Sequence, residues 1–221
     1  MTALPWSEQL IHLLAALLLL LSFAMLAQRR MVSLINLLAL QGAALALSTA
    51  IVAWHAHQPH LYYSAALTFS LKVVVLPLVF HRLVRKLNVR FDSEPLVNIP
   101  TTMLLGLLLV VFAFGLAQPI SALASTVTRS TLGIAIAVVM LAFLMMITRR
   151  KAIAQVIGFL SMENGLFFAA TSATYGMPMV VELGVALDVL VGVLILGIFL
   201  FRIREQFDSL DLHHLERLKE R

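Results

Sequence analysis

Seven apolar stretches of about 20 residues each constrain the fold of this sequence more than any other feature. About 20 mostly apolar residues form a helix long enough to cross the hydrocarbon core of a bilayer. The stretches cover about 9–28, 31–54, 61–84, 101–123, 130–148, 152–174 and 179–201. The sequence therefore predicts an all-α, polytopic integral membrane protein with about seven transmembrane helices.

Composition supports this class. The chain is 61% hydrophobic and 12% charged, whereas a soluble domain carries about 25% charged residues. A chain of 221 residues cannot bury that much apolar surface in one core. Cys is absent, which excludes disulfides, thiolate metal sites and iron–sulfur ligation. We expect no cofactor, no bound metal and no nucleic-acid partner.

Basic residues predict the orientation. Fourteen of the 16 Lys and Arg residues fall on one side of a seven-span arrangement: Arg29, Arg30, Arg82, Arg85, Lys86, Arg90, Arg149, Arg150, Lys151, Arg202, Arg204, Arg217, Lys219 and Arg221. The opposite side has only Arg129. The positive-inside rule then places the N-terminus outside and the C-terminus in the cytoplasm. We expect the first stretch to be a retained span, because it lacks signal-peptide features.

Short sequence matches indicate an internal duplication. Phe91-Asp92-Ser93 recurs as Phe207-Asp208-Ser209, and Arg29-Arg30 recurs as Arg149-Arg150 at nearly the same spacing. These matches predict two parallel three-helix repeats joined by a linker helix. The expected domains are a first repeat with its cytoplasmic loop, a linker helix, a second repeat and an amphipathic cytoplasmic tail, at 1–100, 101–129, 130–204 and 205–221.

Four Asp, Glu or Lys side chains fall inside predicted spans: Lys72, Glu163, Glu182 and Asp188. Lys72 lies roughly 18 Å from His60 and 15 Å from Arg82 along a helix, which is near mid-membrane. A charge there costs about 2.5–3.5 kcal/mol on insertion scales, so it usually marks a partner, a hydrated cavity or a proton path. Groups of this kind at mid-depth are what lateral proton relay requires. The alternative is a static role, with Lys72 paired to Asp188 or to a neighbouring subunit and Glu182 at the headgroups.

Two further residues of the third span have open interpretations. Pro77 lacks the N–H that would reach the carbonyl of Val73 in an α-helix, which leaves an acceptor beside Lys72 for water or simply kinks the helix. His81, near the basic end of the span, is either a proton carrier or an interfacial residue. His55, His57 and His60 fit no standard zinc spacing.

The second repeat resembles the small three-helix K subunit of NADH:quinone oxidoreductase (complex I) and the corresponding small subunit of multisubunit cation/proton antiporters. The residues that carry the resemblance are Arg149-Arg150, Glu163 within Ser161-Met-Glu-Asn-Gly165, and Asp188 with Gly192. Two departures are visible. Glu163 comes about one turn later than the first Glu of those families, and Asp188 replaces their second Glu.

The whole chain resembles the hydrogenase-4 component E family. Four segments carry this likeness: Phe69-Ser-Leu-Lys-Val-Val-Val-Leu-Pro77, Gly158-Phe-Leu-Ser-Met-Glu-Asn-Gly165, Val181-Glu-Leu-Gly-Val-Ala-Leu-Asp188 and Leu210-Asp-Leu. The resemblance implies a non-catalytic membrane-arm subunit of a formate hydrogenlyase-type nickel–iron hydrogenase. Its implied partners are antiporter-like and quinone-site-like membrane subunits and, indirectly, soluble hydrogenase subunits. The expected proton-relay residues are Lys72, Glu163, Asp188, Glu182 and His81.

Two other functions remain open at this point. The chain is alternatively a subunit of a cation/proton antiporter or another complex I-like machine, or a purely structural membrane scaffold. An independent small-solute carrier is the least supported, because the repeat is parallel and no substrate-sized polar cluster is visible in the sequence.

Overall fold

The computed structural model describes residues 6–56, 59–86, 96–121, 126–174 and 192. The chain divides into two compact units, Met1–Val185 and Ala186–Arg221. All the helices described below belong to the first unit. The structure is 93% helical, with no strand in the described ranges, so the predicted all-α class is confirmed.

The helices follow one another with short connections. In chain order they are α1 (Trp6–Ala27), α2 (Met31–Ala56), α3 (His60–Phe69), a π-helical segment (Ser70–Val75), α4 (Leu76–Lys86), α5 (Ile99–Ser121), α6 (Thr126–Thr148) and α7 (Ala152–Thr174). α3, the π-helical segment and α4 form one continuous span, which we call span three.

Six helical spans in the described part of the chain are long and apolar enough to cross a membrane. They are Trp6–Ala27, Met31–His55, Leu61–Arg82, Ile99–Pro119, Thr131–Thr148 and Ile153–Thr171. Six of the seven predicted stretches are found within a few residues of their expected bounds. The seventh stretch, 179–201, lies outside the described residues together with Glu182 and Asp188. The count of seven, the duplication and the domain bounds remain predictions.

Successive spans alternate in direction, so their ends gather at two faces. We call the face where α1 begins the N-terminal face. The opposite face, where α1 ends, is the basic face, because Arg29, Arg82 and Arg150 lie there and are exposed. At the basic face, the backbone N–H of Leu96 donates to the carbonyl of Thr148 at 2.8 Å, which ties the approach to α5 to the end of α6.

α2 occupies the centre of the packing. It contacts α1, α7 and every part of span three, while α6 contacts α1, α5 and α7. The core shared by these helices includes Leu18, Leu45, Val138 and Phe168, all fully buried. α5 is covered mainly by α6 and leaves a row of leucines and valines exposed, as expected for contact with lipid. The central position of α2 makes it the support for the polar residues described next.

Small residues bring α6 and α7 close together. A Cβ added at Gly165 would lie 2.9 Å from Val138 Cγ1, and one added at Gly158 would lie 2.8 Å from Met146 Cγ. Without a hydrophobic driving force between helices in lipid, close packing of this kind is a main source of helix association. α7 is therefore held firmly against its neighbour at the level of its buried polar side chains.

Aromatic side chains mark the N-terminal face. Trp6, Trp54, Tyr62 and Tyr63 are all exposed there, which is the position that tryptophan and tyrosine favour at a membrane–water interface. A shallow groove of about 450 Å³ lies between the adjoining ends of α1 and α2. Its lining residues are Trp6, Ser7, Leu10, Ile51, Trp54 and His55.

Candidate functional site: a buried polar cluster at Lys72

Lys72 lies in the π-helical segment of span three. The backbone N–H of Leu76 donates to the carbonyl of Leu71, five residues earlier instead of four. Pro77 follows directly and has no N–H to restore the α-helical pattern. If this five-residue spacing continues, the nitrogen of Pro77 lies opposite the carbonyl of Lys72. In a regular α-helix it would lie opposite the carbonyl of Val73. Single π-helical turns occur frequently at functional sites.

Gly42 on α2 allows span three to pack closely against that helix at Lys72. A Cβ added at Gly42 would lie 2.8 Å from the Cβ of Lys72 and 3.5 Å from its backbone carbon. The absence of a side chain at Gly42 therefore brings the backbone of span three close to α2. The Lys72 side chain is 4% exposed and reaches past α2 to side chains of α7.

The ammonium group of Lys72 meets two polar side chains of α7. Its Nζ donates to Asn164 Oδ1 at 2.7 Å and lies 3.8 Å from Glu163 Oε1. It also lies 5.7 Å from the centre of the Phe167 ring, within the range of a cation–π contact. Both charged side chains are 4% exposed. A buried ion pair is stable only when its geometry and hydrogen bonds offset the loss of water, and here Asn164 supplies such a bond.

A chain of amide and hydroxyl groups continues from Asn164 towards α1. Asn164 Nδ2 donates to Gln41 Oε1 at 3.2 Å, and Gln41 Nε2 donates to Ser22 Oγ at 3.0 Å. Ser22 Oγ in turn donates to the carbonyl of Leu18 at 2.9 Å. We define the Lys72 cluster as Ser22, Gln41, Lys72, Glu163 and Asn164.

The two parts of this cluster differ chemically. Lys72 and Glu163 can each gain or lose a proton, and Lys72 Nζ lies 3.8 Å from Glu163 Oε1, which is longer than a hydrogen bond. The amide groups of Asn164 and Gln41 donate and accept hydrogen bonds but do not ionise at ordinary pH. Their chain ends at a helix carbonyl, so it holds Lys72 in position and is poorly suited to carry a proton further.

The structure brings together two of the five residues predicted for proton relay, Lys72 and Glu163. His81 lies roughly 14 Å further along span three, with Nδ1 2.7 Å from the carbonyl oxygen of Pro77. Glu182 and Asp188 lie outside the described residues. Among the described residues, no group of three or more His, Cys, Asp and Glu could hold a metal ion.

The uncharged members of the cluster were not predicted from the sequence. Ser22, Gln41 and Asn164 carry no charge that would mark them within their spans. A signal was available, because Gln41 and Asn164 interrupt otherwise apolar helices and an amide in a membrane span normally requires a buried partner. The role of Gly42 had no comparable sequence signal.

A second buried charge, Arg149, lies at the basic face. It is 1% exposed, and its Nη2 donates to the carbonyls of Met25, Leu26 and Gln28 at 3.2, 2.8 and 2.7 Å. Burial, and then the neighbouring positive charge of Arg29, lower the pKa of Arg149. Since guanidinium groups remain charged in proteins, the three carbonyls offset the cost of burying that charge. Arg149, which directly follows α6, thus satisfies the carbonyls at the end of α1 and links the two helices.

The fold and the cluster together define a class: a multi-pass α-helical membrane protein with a buried lysine–carboxylate pair inside its spans. Within this class, the chain belongs to the family of the uncharacterized protein Rv0085 of Mycobacterium tuberculosis. The two are 34% identical over 194 residues, which cover 87% of this chain and 88% of that protein.

The chain is also distantly related to hydrogenase-4 component E. It is 25% identical to the Escherichia coli K12 protein over 155 residues, which cover 70% of this chain and 72% of the relative. The Shigella flexneri protein of the same name gives the same values. This confirms the family-level resemblance drawn from the sequence. No family model matches the chain, and no solved structure matches it.

Proposed function

We propose that this protein is a non-catalytic membrane-arm subunit of a hydrogenase-4 or formate hydrogenlyase-type complex, and that it relays protons through charged groups buried in its spans. The observation that carries the proposal is the contact of Lys72 with Glu163 and Asn164 between two spans. The distant relationship to hydrogenase-4 component E supplies the kind of complex.

In this proposal, Lys72 and Glu163 exchange a proton and Asn164 positions the ammonium group. Asp188, Glu182 and His81 extend the relay beyond the pair, towards antiporter-like and quinone-site-like membrane subunits. Nickel–iron chemistry belongs to soluble partners. A relay of this kind needs groups whose protonation can change near neutral pH, and ionisable side chains inside membranes commonly mark such paths.

The proposed setting is a bacterial inner membrane with the N-terminal face outside. The exposed arginines at the opposite face support this orientation, because cytoplasmic loops carry an excess of Lys and Arg. An epitope tag at each terminus of the chain, probed in intact and permeabilised spheroplasts, tests it. Cytoplasmic exposure of the N-terminal tag would reverse the assignment.

Neutralising Glu163 tests the relay. We expect Glu163→Gln to leave the complex assembled and to lower proton movement coupled to hydrogen production by about tenfold or more, because an amide cannot accept the proton of Lys72. The measurement is acidification of membrane vesicles per hydrogen formed. The matched control is Glu8→Gln, the same chemical change in the first turn of α1, which should leave the ratio unchanged.

The composition of the purified complex separates the alternatives. Affinity purification in mild detergent should recover nickel–iron hydrogenase subunits with this chain. Recovery of antiporter subunits alone would favour a cation/proton antiporter. If Glu163→Gln disrupts assembly and leaves coupling normal in the complexes that do assemble, the chain is a structural scaffold and the relay proposal is wrong.

A further inference from the structure

A stripe of buried side chains runs along span three, and its polarity changes at Lys72. Towards the N-terminal face the stripe includes the hydroxyl side chains of Ser64 and Thr68. Towards the basic face it continues with Phe80 and Val84, which are buried and apolar. The two halves of one helix–helix interface therefore offer very different surroundings to a proton.

Both hydroxyls on the N-terminal side have unused hydrogen-bonding capacity. Ser64 and Thr68 are 8% and 1% exposed, and within the described structure neither side-chain oxygen has a hydrogen-bond partner. Other buried hydroxyls in these helices, such as Thr49, donate to the carbonyl four residues earlier. A buried polar group without a partner is costly unless water or another group satisfies it.

The facing surface of α2 is made of small side chains at this level. α2 and span three are antiparallel and meet at Gly42 and Lys72. A residue a given number of positions after Gly42 therefore lies at the same depth as the residue that many positions before Lys72. Ala46 therefore lies level with Thr68, and Thr49 lies close to the level of Ser64. The hydroxyls of Ser64, Thr68 and Thr49 together form a polar row that ends at Lys72.

Two more hydroxyls without partners lie elsewhere. Ser48 follows Gln41 by seven residues, so it shares the face of α2 turned to α1 and α7 and not to span three. Ser161 lies between the two glycines through which α7 packs on α6. Neither belongs to the row that leads to Lys72.

The opposite half of the interface is apolar. Ile35 and Leu38 of α2 are buried, and they share the face of Gly42 because they lie seven and four residues before it. The antiparallel register places them at the depths of Phe80 and its neighbours. Ordered water inside a protein needs two or more polar partners. These buried side chains are apolar, and the half-buried His81 near the basic end has Nδ1 2.7 Å from the carbonyl of Pro77. This half therefore acts as a barrier to water between Lys72 and the basic face.

We propose that Lys72 exchanges protons with the N-terminal face only, through water held by Ser64, Thr68 and Thr49, and that the apolar half of the interface seals it from the basic face. This inference rests on the proposed relay function and adds its direction of access. When Lys72 gives its proton to Glu163, an ammonium and a carboxylate become an amine and a carboxylic acid. A proton taken up from the N-terminal face and passed along the water of the hydroxyl row then restores the ammonium, and Glu163 passes its own proton onward and returns to a carboxylate.

The natural chain has no Cys, so single cysteines can report which face reaches this interface. Thr68→Cys places a thiol roughly 12 Å from His60, and the control Leu38→Cys places one roughly 10 Å from Met31, each on its own side of Lys72. The probe is Ag⁺, which is close to water in size and blocks thiolates. Blocking is read on this chain, within the intact complex, as lost labelling by a maleimide polymer after denaturation.

We expect Ag⁺ to block Thr68→Cys at least about tenfold faster from the N-terminal face than from the basic face, and to leave Leu38→Cys unblocked from either. An N-terminal tag assigns the faces in spheroplasts and inverted vesicles. Equal blocking of Thr68→Cys from both faces, or no blocking from either, overturns the proposal. Fast blocking of Leu38→Cys from the basic face also overturns it. Ser64→Cys, one turn closer to the surface, replaces Thr68→Cys if that variant does not assemble, with the same outcomes.

The two proposals fail in different ways. One-sided blocking of Thr68→Cys combined with normal coupling in Glu163→Gln would leave the access path standing and reject the relay. Lost coupling in Glu163→Gln combined with equal blocking from both faces would keep the relay and reject the one-sided path.

Discussion

At the residue scale, the central question is how a lysine and a glutamate remain stable between apolar helices. The ammonium of Lys72 has a 2.7 Å hydrogen bond to Asn164, a carboxylate at 3.8 Å and an aromatic ring at 5.7 Å. Each of these contacts favours the cation, and together they offset part of the free energy of removing it from water. The amide of Asn164 is thus as important to the site as the two charges.

Replacing Asn164 tests this dependence. We expect Asn164→Leu, which is similar in size, to destabilise the protein by about 2–4 kcal/mol. The substitution removes the hydrogen bond from the Lys72 ammonium to Asn164 and the one from Asn164 to the side-chain oxygen of Gln41. The measurement is the thermal midpoint of the purified complex, together with the pH dependence of its coupled activity. A shift in the pH profile would indicate a positioning role that loss of stability alone does not explain.

The control for this variant is Asn98→Leu. Asn98 is exposed before α5, and its hydrogen bonds to α5 use the backbone carbonyl, so the same substitution there should change the midpoint little. The double variant Gln41→Leu with Asn164→Leu should cost less than the sum of the two single variants, since the groups share one hydrogen bond. Additive effects would show that the amide chain does not act as a unit.

At the scale of helices, the sequence predicted the positions and lengths of six spans to within a few residues. Twenty-residue apolar stretches decide spans by a local property, the hydrophobic thickness of the bilayer, and six of them are found where expected. The π-helical segment was not predicted. Pro77 indicated an interrupted hydrogen-bond pattern, but whether the helix kinks or widens depends on what packs beside it. Here the neighbour is Gly42 of α2.

Gly42 gives a prediction at this scale. We expect Gly42→Ala to destabilise the protein by about 1–3 kcal/mol, since the added methyl group would lie 2.8 Å from the Cβ of Lys72 and force α2 away from span three. Because the Cβ of Lys72 is fixed to the backbone, a change of rotamer does not relieve the overlap. The thermal midpoint of the purified complex and the coupled activity of vesicles should both fall.

Gly115→Ala on α5 is the matched control. No atom lies within 4 Å of the position that its Cβ would occupy, and alanine favours helix over glycine, so its midpoint should stay constant or rise slightly. If Gly42→Ala behaves in the same way as Gly115→Ala, then close contact between α2 and span three does not support the Lys72 cluster.

At the scale of the whole molecule, Arg149 links the first spans to the later ones. Its guanidinium bonds three carbonyls near the end of α1, which are 121 to 124 residues away in the sequence. From the sequence, Arg149 was grouped with Arg150 as a topology signal and as the counterpart of Arg29-Arg30. The environments differ, because Arg149 is buried while Arg29, Arg30 and Arg150 are exposed.

We expect Arg149→Met to destabilise the protein by about 1–3 kcal/mol, because the last carbonyls of α1 lose a charged donor. Arg149→Lys should recover only part of this stability, since an ammonium cannot reproduce the planar fork of a guanidinium. The control is the exposed Arg150→Met, with little expected change. Proteolysis near residue 28 in detergent measures release of the α1 end. Equal resistance of Arg149→Met and Arg150→Met would contradict the proposed link.

Hydrophobicity and charge along the chain were enough to predict the class of protein, most of its spans and the charged residues inside them. These features depend on hydrophobicity and charge, which are properties of each segment alone. The packing of the helices is what brings Lys72 to Glu163 and Asn164, extends the cluster through Gln41 and Ser22, and buries Arg149 against the end of α1. Those outcomes depend on which helix faces pack together and how closely. In lipid that packing is set by the small residues and polar contacts between helices, and not by the hydrophobic pattern along any one of them.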